Sequence, residues 1–128
     1  MRITDLPPLP EKPGVYLWKT GETVIYVGKA KSLKARVTSY FHAEGKGLRI
    51  SREATRLEFI VVRDEVEALL LEANLIKQYR PRYNVMMKDD KHYPFLKLTN
   101  EEWPMLIIVR RMMDDGARYW GPFPSGGE

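Results

Sequence analysis

The chain has 128 residues, 44% of them hydrophobic and 30% charged, which suits one compact α/β or α+β domain with its own core and leaves no room for a second. Twenty-one lysines and arginines against seventeen acids leave a net charge of +4, a mild excess that does not by itself establish a nucleic-acid partner. The absence of cysteine excludes disulfide staples, thiolate metal sites and cysteine nucleophiles; with no apolar run of membrane-spanning length, the expectation is a soluble cytoplasmic domain with no membrane partner.

In chain order, residues 1–13 read as an extended lead-in, because the prolines between Leu6 and Gly14 deny the segment helical hydrogen bonds. Residues 14–124 read as the folded domain and 125–128 as a linker remnant. Gly14 to Trp18 and Val24 to Gly28 are short β-branched and aromatic runs joined through Lys19-Thr20-Gly21-Glu22, a hairpin signal. Leu33, Val37 and Phe41 recur every four residues with Arg36 and Tyr40 as a second row beside them, which predicts an amphipathic helix over 32–41. A shorter helix is expected over about 48–56, then a third strand over 57–62. Asp64 stands three residues before Glu67, a capping-box variant that starts a helix running to about Tyr79, where Arg80-Pro81 stops it. Residues 80–94 read as a basic, aromatic surface loop. Strands are expected over 95–98 and 105–110, with Asp115-Gly116 turning the chain toward Arg118-Tyr119-Trp120.

One residue breaks the pattern. The apolar face of the helix over 65–79 is expected from Ala68, Leu69, Leu71, Leu75, Ile76 and Tyr79, and Glu72 falls inside it. A carboxylate aimed at the core costs several kcal/mol unless a cation compensates it, and the candidates are Arg36, as a structural ion pair, or a metal ion. One protein oxygen with the remaining positions left to water is a common way of holding Mg²⁺ near phosphates.

Gly14-Val15-Tyr16, Tyr26-Val27-Gly28, Arg36 and Glu72 occur in the order and spacing of the GIY-YIG nuclease superfamily, which the sequence resembles. Tyr26-Val27-Gly28-Lys29-Ala30-Lys31-Ser32-Leu33, Ser39-Tyr40-Phe41, Glu67 to Glu72, Pro81-Arg82-Tyr83-Asn84-Val85, Lys88-Asp89-Asp90-Lys91, Tyr93-Pro94 and Gly121-Pro122 resemble its UvrC-like branch, the incision subunits of bacterial nucleotide excision repair. Val15 and Val27 stand where the superfamily name has isoleucine. The resemblance implies an α/β (α+β) fold on a small three-stranded antiparallel sheet flanked by helices, to which the sequence adds a C-terminal β-hairpin. It also implies phosphodiester hydrolysis on the 3′ side of a DNA lesion, one divalent ion, Mg²⁺ or Mn²⁺, and no covalent intermediate. Damaged double-stranded DNA is the implied substrate and UvrB the implied partner of a longer protein; the isolated domain is expected to be monomeric.

By the same resemblance Tyr26 is the general base for water, Tyr16 a positioning or proton-relay group, and Glu72 the metal ligand. Arg36 suits the phosphate because its fork donates two hydrogen bonds to non-bridging oxygens. Tyr40 either touches the phosphate or orients Arg36, Asn84 stands near the phosphate or is a turn residue, and Lys29 is a candidate for favouring the Tyr26 phenolate. Gly28 leaves bare backbone for a close phosphate, or merely ends a strand. Lys31, Lys34, Lys77, Arg80, Arg82, Lys88 and Lys91 supply a sequence-independent DNA footprint, or are ordinary solvated charge. Asp89-Asp90-Lys91 satisfies a D-x-K pattern of another nuclease class but lacks its upstream Pro-Asp. The alternatives to a UvrC-like domain are a non-catalytic DNA-docking module and a stand-alone GIY-YIG repair or recombination nuclease.

Overall fold

A computed structural model of the chain describes residues 1–86 and 93–124. The two aromatic and β-branched runs form antiparallel strands β1 (Gly14–Thr20) and β2 (Thr23–Ala30), with Gly21 in the left-handed region, φ 60°, at the turn between them. A bulge after Trp18 shifts the register, so that Trp18 faces Tyr26 and Tyr16 faces Gly28. Strand β3 (Arg56–Val61) adds to the other side of β1, giving the order β2-β1-β3 with β2 at an edge.

Both faces of this sheet are covered. On one, Tyr16, Trp18 and Tyr26 pack with Leu33 and Val37 of α1 (Leu33–Ser39), Ile50 of α2 (Lys46–Glu53) and Tyr83 of α4 (Arg82–Met86). On the other, Val15, Leu17, Val24 and Val27 pack with Ala68 and the half-buried Leu71, Leu75 and Ile76 of α3 (Glu65–Tyr79). Each fully buried aliphatic or aromatic side chain contributes about 1.5–3 kcal/mol of transfer free energy, so two clusters of this size give the chain cores on both sides of one sheet.

The helix signals act where the sequence places them. The Ser32 hydroxyl accepts a hydrogen bond from Ala35 N at 3.3 Å and caps α1; Asp64 Oδ1 accepts from Glu67 N at 2.9 Å and caps α3. Glu67 reaches back to Arg63 N rather than to the cap residue. At the other end of α3, Arg80 takes the left-handed conformation, φ 44°, and Pro81 follows.

Some expectations need correction. The lead-in contains a 3-10 turn, Ile3–Asp5, before its extended path, whose Pro10, Lys12 and Pro13 carbonyls accept from Lys34, Leu33 and Val62. The second helix begins two residues early and ends at Glu53. Tyr79, placed on the buried face of α3, is 46% exposed, because it borders an open groove beside Thr23, Val24 and Ile25. Residues 82–86 are helical, not loop, since Pro81 can start a helix as readily as it ends one. The C-terminal hairpin of β4 (Phe95–Leu98) and β5 (Leu106–Val109) gains a third strand, β6 (Arg118–Trp120), in the order β5-β4-β6. Asp115 pairs with Lys97 at 2.6 Å beside Gly116, φ 78°, and fixes the turn into β6. Residues 125–128, read as a linker remnant, lie outside the described residues.

Candidate active site

Period-two alternation puts Tyr16 and Trp18 of β1 on the same face, and Tyr26 on the matching face of β2. Tyr40 enters from the end of α1, one turn beyond Arg36. The three phenols converge: ring centroids of Tyr16 and Tyr26 are 6.3 Å apart, of Tyr16 and Tyr40 5.7 Å, and of Tyr26 and Tyr40 6.4 Å. The Tyr16 and Tyr40 hydroxyls are hydrogen-bonded at 2.8 Å, and Tyr40 is also hydrogen-bonded to Tyr26, so Tyr40 is the middle member of a three-phenol chain. Arg36 Nε donates to Tyr16 Oη at 3.4 Å, and the guanidinium lies 5.5 Å from the Tyr40 ring centroid. Trp18, which the sequence marks only as part of an aromatic run, packs tilted against Tyr40 at 5.2 Å between ring centroids and backs the phenol cluster. Its signal was available: two residues after Tyr16 on the same strand, it shares that face.

Burial raises the Tyr16 pKa well above its ordinary value, and the neighbouring Tyr40 raises it further. Tyr26 is raised by burial first, then by the charges of Tyr16 and Glu72, against the opposing pull of Tyr40 and Arg36. Burial likewise raises Tyr40. All three phenols are therefore neutral near pH 7, and a cation beside Tyr26 would bring its phenolate closer to reach.

Glu72, completely buried on α3, is electrostatically coupled to Tyr26 across the edge of β2. Its carboxylate is a hard oxygen donor, and among the described residues no group of three or more His, Cys, Asp or Glu side chains converges. That donor set fits Mg²⁺ or Mn²⁺, which keep several waters and take one or two carboxylates, and it does not fit a tetrahedral zinc site.

Two glycine and asparagine expectations change in meaning. A Cβ on Gly28 would lie 2.4 Å from Tyr16 Oη, so the glycine makes room for a phenol rather than for a phosphate. Asn84, 9% exposed, accepts from Val27 N at 2.8 Å and donates to Val27 O at 2.9 Å. Both ends of its amide are spent on the open edge of β2, where it replaces a strand partner next to Tyr26. Asn84→Ala leaves both Val27 groups unpaired in a buried place, so urea unfolding is expected to show a loss of about 2–6 kcal/mol, at about 1–3 kcal/mol per orphaned group. A loss under about 0.5 kcal/mol would contradict this clamp role.

The cations do not gather in one place. Lys29 pairs with Val15 across the strands and alternates with Val27, so it lies on the α3 side of the sheet, away from the tyrosine face, in a groove with Lys31 and Arg110. Lys77 and Arg80 line another groove beside Asn84 and Tyr93. Lys34 is exposed on α1, and Arg82 is engaged by Glu53. Lys88, Lys91 and the Asp89-Asp90-Lys91 pattern lie outside the described residues.

The family of UvrC-like GIY-YIG domains matches residues 12–85. The chain is 74% identical over 127 residues to UvrABC system protein C of Thermus thermophilus and 58% identical over 125 residues to that of Carboxydothermus hydrogenoformans, aligning over 99% and 93% of its own length. It spans only about a fifth of these relatives, 22% and 20%. Among solved structures, the GIY-YIG N-terminal endonuclease domain of UvrC from Thermotoga maritima, bound to magnesium as its catalytic divalent cation, superposes with a TM-score of 0.57 at 54% identity, covering 59% of this chain and 85% of that one. The chain belongs to the family of UvrC-like GIY-YIG domains.

Proposed function

We infer that the chain is the endonuclease domain of a longer DNA-repair protein, cutting a phosphodiester on the 3′ side of a lesion in damaged double-stranded DNA. The observation that carries this reading is the fully buried Glu72 coupled to Tyr26, which packs in one cluster with Tyr16, Tyr40 and Arg36. Glu72 would hold one Mg²⁺ or Mn²⁺, the ion supplying Lewis-acid polarisation of the phosphoryl oxygen and charge stabilisation for the leaving 3′ oxygen.

The chain's own residues do the rest. As the phenolate, its own proton already given to solvent, Tyr26 Oη takes the proton of the attacking water as the new P–O bond forms and the bond to the leaving oxygen breaks; solvent returns a proton to the leaving alkoxide. Tyr40 Oη, bridging Tyr26 and Tyr16, orients the Tyr26 lone pair and shares its charge along the chain of phenols. Arg36 is steadied by its Nε bond to Tyr16, and the Nη side of the same guanidinium offers a fork to the non-bridging oxygens, where charge grows in the transition state. The relatives' names support UvrB as partner of the full-length protein, and their bacterial sources support the cytoplasm as its place of action.

The test is nicking of supercoiled plasmid by the chain with Mg²⁺ or Mn²⁺. Conversion to open circles that stops on chelation is expected. A folded chain that binds DNA but converts none with either ion would favour a docking module instead.

A further inference from the structure

We propose that the groove along α2, rimmed by Arg49 and Arg52, is a track for the phosphodiester backbone of the substrate strand beyond the scissile phosphate; this rests on the nuclease reading. The groove has a volume of about 610 Å³ and is lined by Gly45, Leu48, Arg49, Arg52, Glu53 and Tyr83. Arg49 and Arg52 are exposed and form no ion pair among the described residues. The single acid of the lining, Glu53, is already engaged by Arg82 and by the Tyr83 hydroxyl, and Tyr83 first and Arg82 second hold its carboxyl below the usual range. The groove therefore carries two arginines against one acid that Arg82 already pairs, a net positive lining in which Leu48 is the aliphatic member.

Its position ties it to the reacting pocket at both walls. A Cβ built on Gly47, in the first turn of α2, would sit 3.2 Å from Ala43 Cβ and 3.7 Å from Tyr40 Cδ2, so α2 begins against the middle phenol. Tyr83, on the far wall, directly precedes Asn84, the clamp that holds β2 beside Tyr26. Arg49 and Arg52 are one turn apart on the same face, ~4.5 Å along the axis, on the scale of successive phosphates in one strand at about 3.4 Å of rise. Arg52 sits in the last turn of α2, where a cation also complements the helix dipole, but that explanation does not extend to Arg49. Contacts of this kind neutralise phosphates without reading bases, as an enzyme that must cut beside many different sequences requires.

The experiment compares the wild-type chain with R49E/R52E and with the milder R49Q/R52Q in Mg²⁺-dependent nicking of a duplex oligonucleotide and in DNA binding across a salt series. The charge-reversed pair is expected to raise KM at least tenfold with kcat at saturation kept within twofold, and to cut the slope of log affinity against log salt by about 2. The neutral pair is expected to give the same loss of slope with a smaller rise in KM, and both to keep the wild-type Tm. Unchanged KM and salt slope in folded variants of a wild-type chain that does nick DNA would overturn the track alone. A folded wild-type chain that neither nicks nor binds DNA would overturn the nuclease reading and the track with it. Equal losses of kcat and kcat/KM would also overturn it, because they would mark a role in the chemical step rather than in holding the strand.

Discussion

Glu72→Gln is expected to reduce divalent-ion-dependent nicking by about 10³-fold or more, the scale on which removing a major source of transition-state charge stabilisation acts. Glutamine keeps the shape of the side chain, so the fully buried position stays filled and α3 stays packed on β2. What changes is charge: the amide oxygen is a far weaker ligand for a hard dication than a carboxylate, and among the described residues no group of three or more possible ligands gathers to share the ion. Calorimetric titration with Mg²⁺ or Mn²⁺ should lose its heat signal in the variant while far-UV and near-UV circular dichroism remain those of the wild type. Persisting nicking with normal ion dependence would sink the assignment of Glu72 as the ligand. Loss of the near-UV signal would instead mark Glu72 as a structural residue of the core.

Tyr26→Phe is expected to slow nicking by about 10²–10⁴-fold, the usual contribution of a positioned general base, with little change in DNA affinity. The pH dependence separates this role from simple packing. Burial, then Tyr16 and Glu72, raise the Tyr26 pKa above its ordinary 10, so the reactive phenolate is a minor form throughout the neutral range. The rate should climb about tenfold per pH unit from pH 6 to at least pH 9, without a plateau, because the phenolate fraction grows tenfold per unit below the folded pKa. A cation held at Glu72 shifts the profile to lower pH by offsetting the raising effect of that carboxylate. In Tyr26→Phe the slope should flatten; a variant with the wild-type slope would move the base elsewhere. Stability has the opposite sign. Since the folded phenols titrate above the unfolded value of about 10, their contribution is intact below pH 10 and is lost as the pH rises beyond it. Activity should thus rise toward alkaline pH up to the point where the fold begins to fail.

The sequence by itself determined the elements and one anomaly. Continuous β-branched and aromatic runs set β1 and β2, the Asp64 cap with Glu67 set the start of α3, and helical periodicity showed that Glu72 lay among apolar neighbours, where it proves fully buried. These are local properties, written in residues a few positions apart. The same locality explains the misses: Tyr79 obeyed the periodicity of α3, but only the tertiary structure decided that it borders an open groove with Val24 and Ile25 instead of being covered.

Which side chains meet was decided by the tertiary structure. The bulge after Trp18 fixes which residue faces Gly28, and hence that the glycine yields its space to Tyr16. The approach of α1 makes Tyr40 the bridge between two tyrosines ten residues apart in sequence, a role that no spacing encodes. Strand pairing sends Lys29 to the α3 side, away from the phenol it was expected to serve, and the open edge of β2 gives the Asn84 amide a backbone partner at each end. Local sequence selects the conformation of each segment, but register and edge position arise only when segments pair, and they determine which chemistry the pocket holds.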